Sequence, residues 1–388
     1  MTYRIGPWFT ATFAIFFARA FLYSTFVSRG PEVMDLLHIN TVQMGVFTML
    51  YPLGGLLGVG FSSGLVHRFG SKTVTVGIYS LAAVSLVALG PAITAGNVPL
   101  ASLLLIAIGL PMAIADYVGN YEGSLADKAS KRSLFSAIHG AFGLGMLLGA
   151  ALSSLAIKLG ISVTTHFLVI GAVAALGSYA AAAALPRHPR EEVSVAAKQR
   201  NRAQFRKAWT ERRSLTIALV GFSFIMAETS ANTWVPIALT DSGMTAAAAA
   251  SALSIFWVLV TVFRLLGGVI VDAIGRWYTI LASALVTAAG IGLFMLSGIV
   301  SLPYVALVLW GAGMAIGFPM SVNAMGDEPE MAPARINMII TVVYISSMSV
   351  GPALGALGQA AGIYAAFAIP LVVLLVAAAL SKVTKPAT

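Results

Sequence analysis

A chain of 388 residues that is 59% hydrophobic and only 10% charged, with a mean hydropathy of +0.91, is not a soluble globular protein, whose charged fraction runs near about 25%. The absence of cysteine excludes disulfides, thiolate nucleophiles and cysteine metal sites. A net charge of +9 would suggest nucleic acid for a soluble protein, but here the charge lies in the loops between apolar stretches, and no nucleic-acid partner is expected.

A hydrocarbon core about 30 Å thick needs about 20 apolar residues at a rise of about 1.5 Å each. Stretches of that kind are predicted at 6–28, 41–64, 73–93, 99–121, 134–157 and 163–185. After a polar segment come 214–238, 245–270, 277–298, 302–325, 335–358 and 362–381. The first lacks a small-residue cleavage site before Arg29 and reads as a retained helix rather than a signal peptide. The expected fold is therefore an all-α polytopic membrane protein of twelve transmembrane helices.

Charge orients these spans. With both termini cytoplasmic, nineteen of the 23 Lys and Arg fall on the inner side: Arg4, Arg68, Lys72, Lys128, Lys131, Arg132, nine from Arg187 to Arg213, then Arg276, Arg335, Lys382 and Lys385. The outer loops hold Arg29 and Lys158, and Arg19 and Arg264 lie inside spans. That asymmetry is the positive-inside signature, with contact to anionic membrane lipids as a second consequence. The absence of cysteine and of Asn-x-Ser/Thr fits a multi-pass protein of a bacterial inner membrane. The segment 186–213 is the one long polar stretch and reads as a cytoplasmic linker that can include an amphipathic helix.

The two halves repeat at an offset near 202. Gly149, Ala151, Leu152, Leu155, Gly160 and Ile161 match Gly351, Ala353, Leu354, Leu357, Gly362 and Ile363. Gly109-x-x-Met112-Ala113-Ile114 matches Gly311-x-x-Met314-Ala315-Ile316. An even number of spans per half keeps both copies in one orientation, so the repeat is parallel. Residues 1–185 and 214–388 are thus expected as two six-helix bundles related by a pseudo-two-fold along the membrane normal. Small-residue seams such as Gly143, Gly145, Gly149 and Ala150 would make each a rigid body.

A tight basic loop follows the second span, Gly64-Leu-Val-His67-Arg68-Phe-Gly70-Ser-Lys72. A second follows the eighth, Gly268-Val-Ile-Val-Asp272-Ala-Ile-Gly275-Arg276. This pair resembles the signature of the major facilitator superfamily. His67 departs from it, standing where that family usually places an aspartate that helps lock one conformation. The runs Ala115-Asp116-Tyr-Val-Gly-Asn120, Ile138-His139-Gly140 and Ala227-Glu228-x-x-Ala231-Asn232-x-Trp234 resemble a poorly characterised bacterial branch related to fucose permease-like sugar transporters. The resemblance covers essentially the whole chain. It implies a cavity lined by the first, fourth, seventh and tenth spans, and gating roles for Arg68, Lys72, Asp272 and Arg276.

A charge at the bilayer centre costs roughly 2.5–3.5 kcal/mol on insertion scales, so each ionisable group inside a span needs a reason. Arg19 suits a substrate carboxylate or hydroxyls, or an ion pair with Asp116. Asp116 and Asn120 share one face of the fourth span, four residues apart, and a carboxylate there can carry a proton. Glu122 lies on another face nearer the inner end, where a loop contact is expected. His139 is either a proton switch or a hydrogen-bonded packing residue. Glu228, with Asn232 one turn on, is the foremost proton-coupling candidate, against the alternative of a structural pair with Arg264. Arg264 suits a gating or packing salt bridge. Asn323 is a further cavity candidate. Tyr23, Tyr117, Tyr121, Trp234 and Trp257 could stack on a ring or serve only packing, with Trp234 the best placed for a solute.

The expected activity is proton-coupled symport of a small polar solute, such as a sugar, polyol or organic acid, by alternating access. Glu228, Asp116 and His139 would take the proton, and Arg19, Asn120, Asn232, Trp234 and Asn323 would contact solute. A proton antiporter exporting a drug or metabolite is the alternative with the same fold. A non-transporting sensor or scaffold is the alternative of another class. No phosphate loop, Ser/His/Asp arrangement or metal-ligand cluster is legible, so neither enzyme activity nor a cofactor or metal is expected. A monomer is the expected unit.

Overall fold

The computed structural model describes residues 4–130, 135–186, 195–296, 302–328 and 330–386, without the side chains of 127, 128, 135–137, 139 and 195–201. Its helices in chain order are α1 (Ile5–Val27), α2 (Gly30–Leu36), α3 (Thr41–Phe69), α4 (Ser71–Thr94), α5 (Val98–Ala129), α6 (Phe135–Lys158) and α7 (Val163–Ala184). Then follow α8 (Val195–Ala208), α9 (Arg212–Asp241), α10 (Ala246–Ile274), α11 (Arg276–Met295), α12 (Leu302–Met325), α13 (Ala332–Ala361), α14 (Ile363–Ala366) and α15 (Ala368–Leu380). Among the described residues, twelve segments are long and apolar enough to cross a membrane, and each coincides with one of the twelve predicted stretches. The short α2 is an addition, and α8 is a helix within the 186–213 linker.

Two features follow directly from sequence. Helices α3 and α4 are joined by Gly70 alone, at φ 80° and ψ 152°. Helices α10 and α11 are joined by Gly275, at φ 80° and ψ 157°. Only glycine takes that conformation without strain, so the two basic turns repeat one backbone geometry. Close helix packing is the second feature. A Cβ on Gly145 would collide with the carbonyl of Phe17, and one on Gly149 with Ser24 and the carbonyl of Phe21. These positions of α6 therefore lie directly against the α1 backbone, and Ser24 Oγ donates to Met146 O at 2.6 Å. Gly54 and Gly58 of α3 approach α5 in the same way, as Gly290 of α11 approaches α12.

By packing, the chain forms two compact units, residues 1–191 with 235–257, and residues 192–234 with 258–388. In the first, α1 packs on α6 and α7, α3 on α5, and α4 on α5 and α7. In the second, α11 packs on α12 and α15, and α13 on α8. The division of α9 falls beside Pro236, whose missing N–H removes one i→i−4 hydrogen bond. The second unit also holds the end of the linker. Ala208, Phe205 and Trp209 pack with Met325, Met331, Ala334 and Met338.

Candidate functional site

In the second unit, α9 presents Glu228 and α10 presents Arg264. Arg264 Nη2 donates to Glu228 Oε2 at 2.9 Å, and Arg264 Nε donates to the carbonyl of Ala315 on α12 at 3.2 Å. Both side chains are largely buried, with 18% and 13% of the arginine and glutamate surfaces exposed. Asn232 stands one turn beyond Glu228 and is buried. Trp234 is wholly buried, and its indole N–H has no hydrogen-bond partner among the described residues.

In the first unit, Arg19 of α1 faces Asp116 of α5, with Nη1 3.5 Å from Oδ1. Its Nε donates to Met112 O at 3.2 Å, and its guanidinium lies over the Phe142 ring, 5.2 Å from the centroid. The longer separation makes this the looser of the two pairs. Asn120 sits one turn from Asp116 and donates to its backbone carbonyl at 2.8 Å. Tyr23 stacks on Tyr51 at 4.7 Å, and Tyr117 on Tyr121 at 6.3 Å.

The two pairs share a feature that sequence hints at only through the repeat. Met112 and Ala315, the carbonyls taken by the two arginines, both belong to the Gly-x-x-Met-Ala-Ile segment that recurs in α5 and α12. In each unit an arginine from a neighbouring helix grips that segment with Nε and brings a terminal nitrogen to a carboxylate.

Residues 8–355 match the Major Facilitator Superfamily. The chain belongs to this superfamily. A relative from Yersinia pestis, described as an uncharacterized MFS-type transporter, is 24% identical over 359 residues, covering 92% of this chain and 90% of the relative. Among solved structures, a variant of the nucleoside transporter NupG superposes with a TM-score of 0.77 at 13% identity, covering 97% of this chain and 98% of that one. The D-xylose–proton symporter gives 0.76 at 15% identity with the same coverage. The E. coli fucose:proton symporter FucP gives 0.65 at 18% identity over the full length of both chains. This chain therefore has the superfamily fold and is a multi-pass membrane transporter, not an enzyme.

The other candidate residues of this superfamily member have these surroundings. Asp272 is exposed, as is Arg68, which lies over Phe69 at 5.2 Å. Lys72 Nζ donates to Ala183 O at 3.3 Å. Arg276 is buried and makes the densest contacts: Nη1 and Nη2 each donate to an Asp327 oxygen at 2.7 Å, Nη1 also to Asn323 Oδ1 at 2.9 Å, and Nε to Thr384 O at 2.6 Å. Asn323 thus joins the charge network at the α10–α11 turn. Arg213 donates to the same Asp327 at 2.6 Å. Burial pushes the Asp327 carboxyl up, but its hydrogen bonds from Arg276 and Arg213 outweigh that and hold it below the usual range. His139 lies in α6, but its side chain lies outside the described residues.

Two groups differ from expectation. Glu122, expected at a loop contact, is fully buried and accepts from Trp8 Nε1 at 2.8 Å. The reason is that α5 continues to Ala129, well past the predicted end at 121, so Glu122 is interior to the bundle. Arg29, read from sequence only as a loop cation, is almost wholly buried. It donates to Glu32 at 2.7 Å, to Ile161 O at 2.7 Å and to His166 Nδ1 at 3.1 Å. Burial lowers its pKa, opposed by Glu32. Glu32 lies only three residues from Arg29, but His166 is 137 residues away, and no short-range signal joins it to the knot.

Proposed function

We propose that the chain is a proton-coupled symporter that carries a small polar solute of the sugar, polyol or organic-acid class by alternating access. The observation that carries this reading is the Glu228–Arg264 pair inside a membrane-spanning segment. A carboxylate bound to a guanidinium is neutral as a pair. Protonating it leaves one uncompensated cation, and that change of charge in a low-dielectric region can bias a conformational equilibrium. Asp116 with Arg19 offers a second, looser carboxylate of the same kind, and His139 a third titratable group.

Arg19, Asn120, Asn232 and Trp234 supply donors suited to hydroxyl or carboxylate oxygens. The indole N–H of Trp234, without a partner among the described residues, is costly to leave buried, and a solute acceptor would satisfy it. The sugar class is supported by two neighbours of the same fold, named as symporters of D-xylose and fucose with protons. Arg68, Lys72, Asp272 and Arg276, with Asn323, act at the basic turns as gating groups. We place the protein in a bacterial inner membrane with those turns and both termini cytoplasmic, on the Lys and Arg asymmetry of the loops.

The test is a thermal-shift screen of the purified protein against sugars, polyols, organic acids, nucleosides and amphiphilic drugs, with Glu228→Gln beside it. A selective shift for one polar class, altered in Glu228→Gln, is the expected result. Shifts spread across unrelated amphiphiles would contradict it and favour a proton antiporter for drugs.

A further inference from the structure

Arg19 does more than meet Asp116. Its guanidinium lies over the Phe142 ring of α6 at 5.2 Å, a cation–π distance. The same ring packs edge-on against Trp257 of α10, with centroids 5.8 Å apart and planes at 65°. Trp257 is wholly buried and is braced by Phe256 at 5.6 Å and 90°. Farther along the same two helices, Ser154 Oγ donates to Ala247 O at 2.8 Å and lies 2.6 Å from Ser251 Oγ. All these residues belong to the first packing unit. Helices α6 and α10 thus meet along a seam with an aromatic end beside Arg19 and a hydrogen-bonded end at Ser154. Twelve residues of α6 separate the two ends, a rise of about 18 Å.

We propose that Phe142 and Trp257 are positioning residues that transmit the state of the Arg19–Asp116 pair to the α6–α10 seam. While Asp116 is charged, Arg19 is held between the carboxylate and the ring, and Phe142 is fixed in the orientation that Trp257 packs against. When the carboxylate is neutralised by a proton, or displaced by a ligand competing for Arg19, the guanidinium loses its hold on Asp116 and turns about its Nε tether on Met112 O, away from the ring. Phe142 is then released, and the seam loosens along its length. The device goes beyond the proposed symport and does not depend on which ion is coupled.

The absence of native cysteine makes the test direct. Ser154→Cys and Ser251→Cys are introduced together, and disulfide formation with copper–phenanthroline is timed in membranes. The hydroxyls are close enough that thiols in their place can bond while the seam is shut. Adding Asp116→Asn is expected to slow cross-linking by about fivefold or more, the low end of typical coupling between sites. With Phe142→Leu or Trp257→Phe also present, Asp116→Asn is expected to have no further effect. Two conservative variants are used so that a folding defect in one leaves the other to decide. Failure of the pair to cross-link, no effect of Asp116→Asn, or an effect that persists in both aromatic backgrounds would each overturn the proposal. None of these readouts requires solute or a proton gradient, so failure here is separable from failure of the symport reading.

Discussion

Glu228 and Arg264 meet at 2.9 Å although 36 residues separate them, and the arginine is anchored independently by its Nε on the Ala315 carbonyl. If Glu228 takes the coupling proton, as we propose, Arg264 keeps that tether and stays in place for the pair to re-form.

Removing one partner of this pair leaves the other charged and mostly buried. Arg264→Gln is expected to destabilise the protein by about 3 kcal/mol, the low end for breaking a buried pair. The double variant Glu228→Gln/Arg264→Gln is expected to recover a large part of that loss. Detergent thermal unfolding of the two singles and the double checks this. Equal losses in Arg264→Gln and the double variant would show that the ion pair is not the source.

The spans were legible because apolar stretches of sufficient length have few alternatives, and the basic turns because glycine and charge punctuate them. The ion pairs were legible only as alternatives. Sequence offered Arg19 a partner in Asp116 and Glu228 a partner in Arg264, without choosing between pairing and free titration. Arg29 was opaque, since its partners lie on α2, itself only seven residues long, on the distant α7 and at Ile161 in the turn before it. Glu122 was misplaced because a helix can overrun the bilayer, and composition does not mark where it stops.

Acid stability should depend on the charge network outside the spans. The hydrogen bond from Arg335, opposed by burial and aided by Ser214, holds Glu211 below the usual carboxylate range, and Asp327 is also held low. Both therefore bind protons less readily folded than unfolded. The stability they add is fully present above the ordinary carboxylate range and is lost as pH falls through their lowered folded values. The unfolding midpoint should be flat from neutral pH to about 5 and fall below it. Glu211→Gln should lower the midpoint at neutral pH and flatten the acid limb; an unchanged acid limb would contradict the assignment.

The one-residue turns predict a backbone effect without any lost contact. Gly275→Ala places a Cβ at φ 80° and ψ 157° with nothing within 4 Å of it, so its cost is conformational, about 1–3 kcal/mol for this nearly glycine-only region. The same substitution at Gly292, where nothing lies within 4 Å either and the backbone is helical, should stabilise slightly instead. Midpoints for the two variants that move in the same direction would contradict this.

Orientation can be read from the cysteine-free background. A cysteine at Lys72 should react with a membrane-impermeant maleimide only after the cytoplasmic face is opened, and one at Gly96 should react in intact cells. The reverse pattern would invert the proposed topology.

The central claim is that Glu228 couples proton movement to solute movement. Its most direct test is proton flux in proteoliposomes carrying an internal pH dye, started by adding the solute that the thermal-shift screen selects. The wild-type chain should acidify the interior as solute enters, while Glu228→Gln should still bind and exchange solute without moving protons. Acidification by Glu228→Gln at the wild-type rate, or proton movement opposite to solute, would contradict the account.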